Sequence, residues 1–371
     1  MALLIVLAGC DPDQPTTSIP EFADSAGVAI WSLGSHTIAA ALTLEKVGEL
    51  SLPDSGWVVE DDGVAVDVAG GRIYVLDELG PRLLVFTSEG ALIGEVGRPG
   101  EGPGEYEMPV AVDVDPLGVV RVVDGSRSLL LSWGRQARFL GQERLSVPYW
   151  GPGFKVSQGA LLYVRGDEAE EAGGFTEVLT RSTEEATTEL MTLNQEWVPV
   201  NSGCGTMPLP RVMTPSITWN ANTRYTVVAT WPDYSLQVLE ADSLVASLRR
   251  RIPPVRITES EAESMVAKGP LGFLIESCGM TAAEVLRASG FVAMASPIDR
   301  IAVDPLDRIW TRSNALMGGP SHIEILDVEN GYLGSLEAPV FPSAFVSSER
   351  FLAIVEKEWG SSVEIWSIRG G

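Results

Sequence analysis

The sequence has 371 residues, 45% hydrophobic and 20% charged, so it can bury a large core and is not a disordered, collagen-like or coiled-coil chain. Its 38 glycines and 24 prolines exceed the ordinary share of roughly 12% and indicate many tight turns, which favours an all-β fold. With 26 Lys and Arg against 50 Asp and Glu, the formal net charge of -24 repels phosphate groups and argues against nucleic acid as a partner.

The N-terminus resembles a bacterial lipobox, because an apolar run ends in Leu7-Ala8-Gly9-Cys10. The resemblance implies that residues 1–9 are a lipoprotein signal peptide and that Cys10 carries the lipid. Residues 10–22 then form a tether to a domain at 23–371. Because no basic residue precedes Cys10, a cytosolic protein with an apolar start is the alternative, as is a start codon further upstream.

The lipoprotein interpretation predicts a location in the bacterial cell envelope, either on the periplasmic side or at the cell surface. No later run approaches the ~18 apolar residues of a membrane span, so the lipid would be the only attachment to the membrane.

A repeated pattern runs through the rest of the chain. A tetrapeptide of Val or Ile, Ala, Val and Asp occurs at 64–67, 110–113 and 301–304, each time followed by a turn and further β-rich runs. The first two copies start 46 residues apart, and a period in the forties with four strands per unit is typical of a propeller blade. Weaker copies begin near 154, 225 and 351, which predicts six blades.

Two further segments complete this prediction. The sixth blade has few strands before the sequence stops, so we expect Gly27–Trp31, together with 42–50, to supply its outer edge. Two capping boxes, Thr258 to Glu261 and Thr281 to Glu284, predict two short helices, the second ending near Gly290. We therefore interpret residues 253–297 as a helical insertion over one face of the disc.

The residues around the second tetrapeptide are similar to an NHL-type repeat: the glycine-rich stretch 97–106, Pro109, Gly118 and 122–124. With 24–28, they make the chain resemble the bacterial "6-bladed beta-propeller" family of exported proteins, most clearly over 21–145 and 298–339. The resemblance implies an all-β, six-bladed β-propeller and export, but no particular reaction. The asparagine–arginine pair of NHL repeats is reduced here to Arg82 and Arg127. The glycine-rich stretch suits a connection between blades, since a phosphate loop requires a Lys and a following helix.

Cysteines and aromatic residues provide the next candidates. In an exported protein the remaining pair, Cys204 and Cys278, suggests a disulfide, with two unpaired thiols as the alternative. Trp150 and its neighbour Tyr149 lie in a loop between blades, where they would line the central mouth and contact a ligand. Four other tryptophans lie in predicted strands and indicate packing between blades: Trp31, Trp133, Trp310 and Trp366.

Metal ligands are scarce in this sequence. Two histidines, His36 and His322, are too few for a three-histidine metal centre, and His322 is expected at a turn or on the surface. Glu60–Asp62 and the pair Asp113 and Asp115 offer oxygens for calcium, but no spacing matches a calcium loop, and solvated turn carboxylates are the simpler interpretation. We therefore expect no cofactor and assign no metal ligand, with calcium as the one exception that stays open.

These observations favour a non-enzymatic protein over an enzyme. No nucleophile and base, and no set of metal ligands, can be assembled from the motifs, so no catalytic residue is assigned. We expect a lipid-anchored propeller that acts as a binding scaffold for a protein, peptide or glycan. The alternative is a hydrolase or lyase, similar to lactonase propellers, that uses a divalent ion at the channel mouth. Three or more carboxylates converging within metal-binding distance on the disc axis would favour the enzyme, whereas an axis filled by apolar side chains would count against it.

Overall fold

The computed structural model describes residues 21–25, 28–35, 37–52, 57–77, 80–145, 149–168, 174–313, 321–358 and 360–370. Within these ranges, the backbone alone is described for 21–25, 149–152, 168, 268, 270 and 321. The β-rich runs form six separate sheets of four to six strands, each built mainly from consecutive antiparallel strands.

The sheets follow one another along the chain and are numbered here as blades 1 to 6. Blade 1 contains Val64–Asp67, Arg72–Asp77, Arg82–Thr87 and Leu92–Val96; blade 2 contains Pro109–Val114, Val120–Asp124, Leu129–Trp133 and Phe139–Arg144; blade 3 contains Tyr149–Ser157, Ala160–Glu168, Gly174–Ser182, Thr187–Ser202 and Gly205–Pro210. Blade 4 contains Trp219–Ala221, Tyr225–Ala229, Ser235–Glu240 and Ser243–Arg250; blade 5 contains Ile298–Val303, Ile309–Ser313, Ser321–Asp327 and Gly331–Ala338; blade 6 contains Ala344–Ser347, Arg350–Lys357 and Gly360–Arg369.

The blades pack face to face because each is apolar on both sides. Alternate residues of a strand point to opposite faces, so in blade 1 Ile73 and Val75 pack toward blade 6, whereas Tyr74 and Leu76 pack toward blade 2. Clusters of this kind fill all six interfaces between neighbouring blades, including the one between blades 6 and 1. The ring is therefore closed, and the fold is the predicted six-bladed β-propeller.

The predicted tryptophan packing is present in these interfaces. Trp133 is buried between blades 1 and 2, with its ring 6.2 Å from that of Tyr106. Trp310 and Trp366 lie between blades 5 and 6. Their rings are large apolar surfaces that two neighbouring blades share, so these positions stabilise the ring.

Two of the three aspartates that end the repeated tetrapeptide, in blades 1 and 5, organise turns, whereas in blade 2 Asp115 takes this role. The fully buried carboxylate of Asp304 accepts hydrogen bonds from the backbone N–H of Leu306 at 2.9 Å and of Arg308 at 3.0 Å, and from Nε1 of Trp310 at 3.0 Å. In blade 1, Asp67 accepts one from Gly70 N–H at 2.8 Å. A short acidic side chain can replace the missing backbone partner of a tight turn, which explains why the apolar strand ends in Asp.

The glycine-rich stretch connects blades 1 and 2, as predicted. Its two ends, Arg98–Pro99 and Glu105–Tyr106, form a short parallel pair. Gly97 has a φ of 69°, and a Cβ there would lie 2.5 Å from the Tyr106 ring, so glycine is required. Arg127 holds the connection by donating to the carbonyl of Glu105 at 2.6 Å.

The N-terminal segment runs along the outer edges of three blades. Val28–Leu33 pairs in parallel with Ser243–Arg250 of blade 4, and Glu21–Ser25 pairs with Val28–Leu33 as a further strand. The N–H of Ala40 then donates to Ser335 of blade 5 at 2.8 Å. Finally, Thr43–Glu49 pairs antiparallel with Gly360–Arg369 of blade 6.

The prediction that Gly27–Trp31 supplies the edge of the last blade was wrong. Residues 28–31 lie on blade 4, and Thr43–Glu49 lies on blade 6. The reason is visible at Trp31, whose Nε1 donates to the carbonyl of Val328 at 2.9 Å and whose ring lies on Gly331. A strand-forming sequence does not specify which sheet edge it joins, and here the side chain fits the turn of blade 5.

The helical insertion between blades 4 and 5 contains three helices: α1 is Glu259–Lys268, α2 is Phe273–Glu276 and α3 is Ala282–Ser289. Both predicted capping boxes form, at Thr258 and at Thr281, while α2 was not predicted. The remaining short elements are the strand pair Val255–Arg256 with Met294–Ala295 and the 3-10 turns Asp61–Gly63 and Pro270–Gly272. Among the described helices, none combines the length and apolar character that a membrane crossing requires.

Candidate functional site

The six inner strands surround a channel along the axis of the ring. One cavity of about 320 Å³ is lined by residues from the first strand of every blade, among them Val64, Asp113, Lys155 and Asn220. A second cavity of about 260 Å³ shares Lys155, Asn220 and Ser343 with the first and includes Asp61 and Asp62, which precede the inner strand of blade 1. The second cavity is therefore the mouth of the channel on that side.

Two of the carboxylates at this mouth are paired with arginines. Asp61 forms an ion pair with Arg300, and Asp299 forms one with Arg312 at 2.7 Å. Burial raises the pKa of Asp299, although the guanidinium of Arg312 opposes the shift. Asp62 accepts a hydrogen bond from the backbone N–H of Gly153 at 2.5 Å.

The acidic candidates Asp113 and Asp115 are each held by other groups of the protein. Asp115 accepts bonds from the N–H groups of Leu117 and Val119, both at 2.9 Å, and pairs with Arg121. Asp113 accepts from the N–H of Val156 at 2.6 Å instead, and burial raises its pKa. Across the described ranges, no three His, Cys, Asp or Glu side chains are grouped closely enough to hold a metal ion.

A larger cleft of about 850 Å³ lies away from the axis, between blade 3 and the helical insertion. We call it the insertion cleft. One wall comes from blade 3 and the segment that follows it, and the other from α1, α2 and the turn between them. Its apolar lining includes Trp197 and Met213 on the first wall, and Met265, Leu271 and Phe273 on the second.

The blade 3 wall exists because one strand is unusually long. Thr187–Ser202 pairs with Gly174–Ser182 over its first part and with Gly205–Pro210 over its last part. Its final residues therefore reach the insertion, where Val200 shares a core with Val266 and Leu274 of the helices.

A disulfide joins the two walls. Cys204, in the turn between Thr187–Ser202 and Gly205–Pro210, is bonded to Cys278, which follows α2, with the two Cα atoms 5.1 Å apart. The adjacent backbone N–H of Gly203 donates to the carbonyl of Cys278 at 3.0 Å. The covalent bond fixes the insertion to blade 3 at one end of the cleft.

Polar groups at the edge of the cleft are held by a buried carboxylate. Glu177 accepts hydrogen bonds from Gln195 at 2.8 Å, from the hydroxyl of Ser216 at 2.6 Å and from the N–H of Ile217 at 2.7 Å. The buried Nε of Arg211 has no hydrogen-bond partner among the described residues, while its Nη2 pairs with Glu196 at 2.9 Å. Ser216 also lines the axial mouth, so the segment that carries it separates the two cavities.

Several predicted site residues fall outside what the structure describes. Cys10 and His36 are not among the described residues, and of Tyr149 and Trp150 only the backbone is described, at the start of blade 3.

His322 is the second residue of a strand rather than part of a turn, with its side chain 36% exposed. Its Nε2 lies 3.6 Å from Oε1 of Glu324, which is paired with Arg250.

Sequence reasoning identified the insertion but not the cleft. The cleft depends on the length of Thr187–Ser202 and on the fold of residues 210–216, both within the part of the chain where the repeat is weak. One signal for it was present in the sequence. The β-rich run that follows the strand at 174–182 continues as far as Trp197 and Val198, which is longer than an ordinary blade strand.

Residues 63–192 match the family model described as 6-bladed beta-propeller (DUF5128). Among solved structures, a Bacteroides fragilis protein named as exported aligns with a TM-score of 0.53 and 15% identity, over 92% of this chain and 99% of that one. A DUF4221 family member from Bacteroides vulgatus aligns with a TM-score of 0.52 and 10% identity, over 89% and 99%. No curated protein matches the sequence. At these identities, the two structures show the fold alone.

Proposed function

We propose that this six-bladed β-propeller is an envelope-anchored binding protein. The premise is that it belongs to the bacterial family whose model residues 63–192 match. Its ligand is a peptide segment of a partner protein, held by its apolar side chains in the insertion cleft. This function requires no catalytic group.

The observation that carries the proposal is the insertion cleft itself. Its volume of about 850 Å³ is within the range of ligand-binding clefts, roughly 300–1,000 Å³, and its lining is mainly apolar with a few fixed polar groups. Met213 and Met265 add flexible, polarisable side chains to opposite walls, which suits contact with apolar side chains of varied shape. Phe273 stands at the cleft and is 41% exposed, so a large apolar surface is available to a partner.

A selection from a random peptide library tests the proposed ligand. We expect the peptides enriched on the protein to carry two or three large apolar residues and to displace Nile red, a neutral apolar dye. The Phe273→Glu variant places a charge at the cleft and should weaken both peptide and dye binding about tenfold or more, because a charge facing bound apolar groups is costly to desolvate.

Leu117→Glu is the matched control, since Leu117 is an apolar residue on a blade 2 turn with 82% exposure. This variant should bind like the unmodified protein. Enriched peptides without apolar residues, or equal binding by Phe273→Glu and Leu117→Glu, would contradict the proposal.

The envelope location rests on the lipobox resemblance at Cys10 and is supported by the name of the Bacteroides fragilis structure. Cys10→Ser should move the protein from the membrane fraction to the soluble fraction, because the thiol is the lipid acceptor. Cys204→Ser is the matched control and should leave the fractionation unchanged. Continued membrane association of Cys10→Ser would refute the anchor while leaving the cleft experiment unaffected.

A further inference from the structure

The axial mouth contains polar groups that have no partner within the described protein. Nε1 of Trp219 and Oγ of Ser343 are both buried without a hydrogen-bond partner, and both residues line the 260 Å³ cavity. Trp219 itself is only 8% exposed. A buried N–H or O–H that forms no hydrogen bond has lost its contact with water without compensation, so the site is arranged for a ligand or water that accepts from both groups.

Lys155 adds a third donor to the same cavity. It lies on the inner strand of blade 3 and lines both axial cavities, and its charge acts on the buried Asp113, although no described carboxylate lies within ion-pair distance of its ammonium group. The three groups come from blades 3 and 4 and from the segment entering blade 6, so they face the channel from different sides. A ligand held here must therefore present several oxygen acceptors.

The charge around the mouth distinguishes neutral ligands from anionic ones. Asp61 and Asp299 are matched by Arg300 and Arg312, whereas Asp62 accepts from a backbone N–H. Lys155 acts electrostatically on the buried Asp113, and two of the mouth carboxylates are paired with arginines, so the mouth has no excess of positive charge that would favour an anion. The carboxylates retain lone pairs that can accept from ligand hydroxyl groups.

The size of the cavity limits the ligand further. A volume of 260 Å³ holds roughly nine water molecules at about 30 Å³ each, and because bonded atoms lie closer together than separate waters, it admits a molecule of about a dozen non-hydrogen atoms. The indole of Trp219 lies directly against Gly153, where a Cβ would be 2.5 Å from Nε1. Glycine at that position lets the aromatic edge form part of the wall.

We propose that the axial mouth binds a small neutral polyhydroxylated molecule of monosaccharide size, with Lys155, Trp219 and Ser343 as hydrogen-bond donors. Ligand hydroxyls accept from these donors and donate to the neighbouring carboxylates. This site is separate from the insertion cleft and does not depend on the function proposed for it.

Titration calorimetry with a panel of free hexoses, a sugar alcohol and an organic carboxylate of equal size tests the assignment. We expect at least one neutral member to bind with a dissociation constant below about 10 mM, with little dependence on salt. Trp219→Phe, which removes the N–H and keeps an aromatic ring, should weaken binding about fivefold, and Lys155→Met about tenfold or more.

Trp197→Phe is the matched control, because the Nε1 of Trp197 donates to Gln195 in the insertion cleft rather than in the channel. It should leave hexose binding unchanged, and Phe273→Glu should do the same. Far-UV circular dichroism and thermal unfolding identify any variant that fails to fold, and Ser343→Ala then serves as a smaller perturbation with an expected threefold loss. The proposal is overturned if no neutral member binds, if only the carboxylate binds, or if Trp219→Phe and Ser343→Ala bind as the unmodified protein does.

Discussion

Removal of the disulfide between Cys204 and Cys278 gives the most quantitative test of how the insertion is attached. The bond joins residues 74 apart in the chain, and the loop-closure relation assigns about 4.4 kcal/mol to a loop of this length at 25 °C. For a protein of 371 residues that unfolds as one unit, an unfolding entropy of about 2.1 cal/mol/K per residue converts this value into a decrease in Tm of about 6 °C.

The experiment compares Cys10→Ser, which keeps only the bonded pair, with the same chain carrying Cys204→Ser and Cys278→Ser. Differential scanning calorimetry should show the lower Tm in the triple variant, and a thiol reductant should lower the Tm of Cys10→Ser to the same value. The insertion also has an apolar core around Val266 and Leu274, which is present in both variants. The difference between their Tm values therefore reports the loss of the disulfide and not of this packing. A decrease of less than about 1 °C, equivalent to under 1 kcal/mol, would refute the argument that the bond restrains the insertion.

Three further outcomes follow from buried polar groups. Glu324→Gln removes the carboxylate that is paired with the fully buried guanidinium of Arg250 and should lower the free energy of unfolding in urea by about 3–5 kcal/mol, whereas adding Arg250→Met should recover part of the loss. Trp31→Phe removes the bond to Val328 and should cost about 1 kcal/mol in the same assay; an unchanged stability would contradict the argument that Trp31 fixes Val28–Leu33 at its sheet edge. Burial raises the pKa of Tyr106 to about 12, so the unfolded chain loses this proton from about pH 10 while the folded chain keeps it. Stability should therefore fall from pH 10 to 12, and Tyr106→Phe should remove up to about 3 kcal/mol of that fall; identical pH profiles would refute the shift.

The ring of six blades could be predicted because its signals are local and repeated. Each blade needs a turn after its first strand, and the buried Asp304 shows why an acidic residue at that place recurs. The capping boxes at Thr258 and Thr281 could also be predicted from the sequence, because a cap residue and its partner lie within one turn of helix.

The sites were less predictable because they depend on residues far apart in the sequence. The unpartnered groups of Trp219 and Ser343 meet in one cavity although 124 residues separate them, and neither residue belongs to a recognisable motif. The insertion cleft likewise depends on a strand that changes partner along its length. The edge joined by Val28–Leu33 was mispredicted for the same reason, since the parallel pairing with blade 4 is set by side-chain fit at Trp31.

The attachment of Thr43–Glu49 to Gly360–Arg369 has a consequence for the order in which the molecule is made. The hydroxyl of Thr43 donates to the carbonyl of Arg369, 326 residues later, so the earlier strand has no partner until Gly360–Arg369 has been synthesised. Such long-range pairing slows folding, and it leaves the early blades without a closed ring during translation. The proposed envelope location would benefit from this delay, because a chain crosses a membrane more readily before it folds and blade 6 is complete only once Gly360–Arg369 has been made.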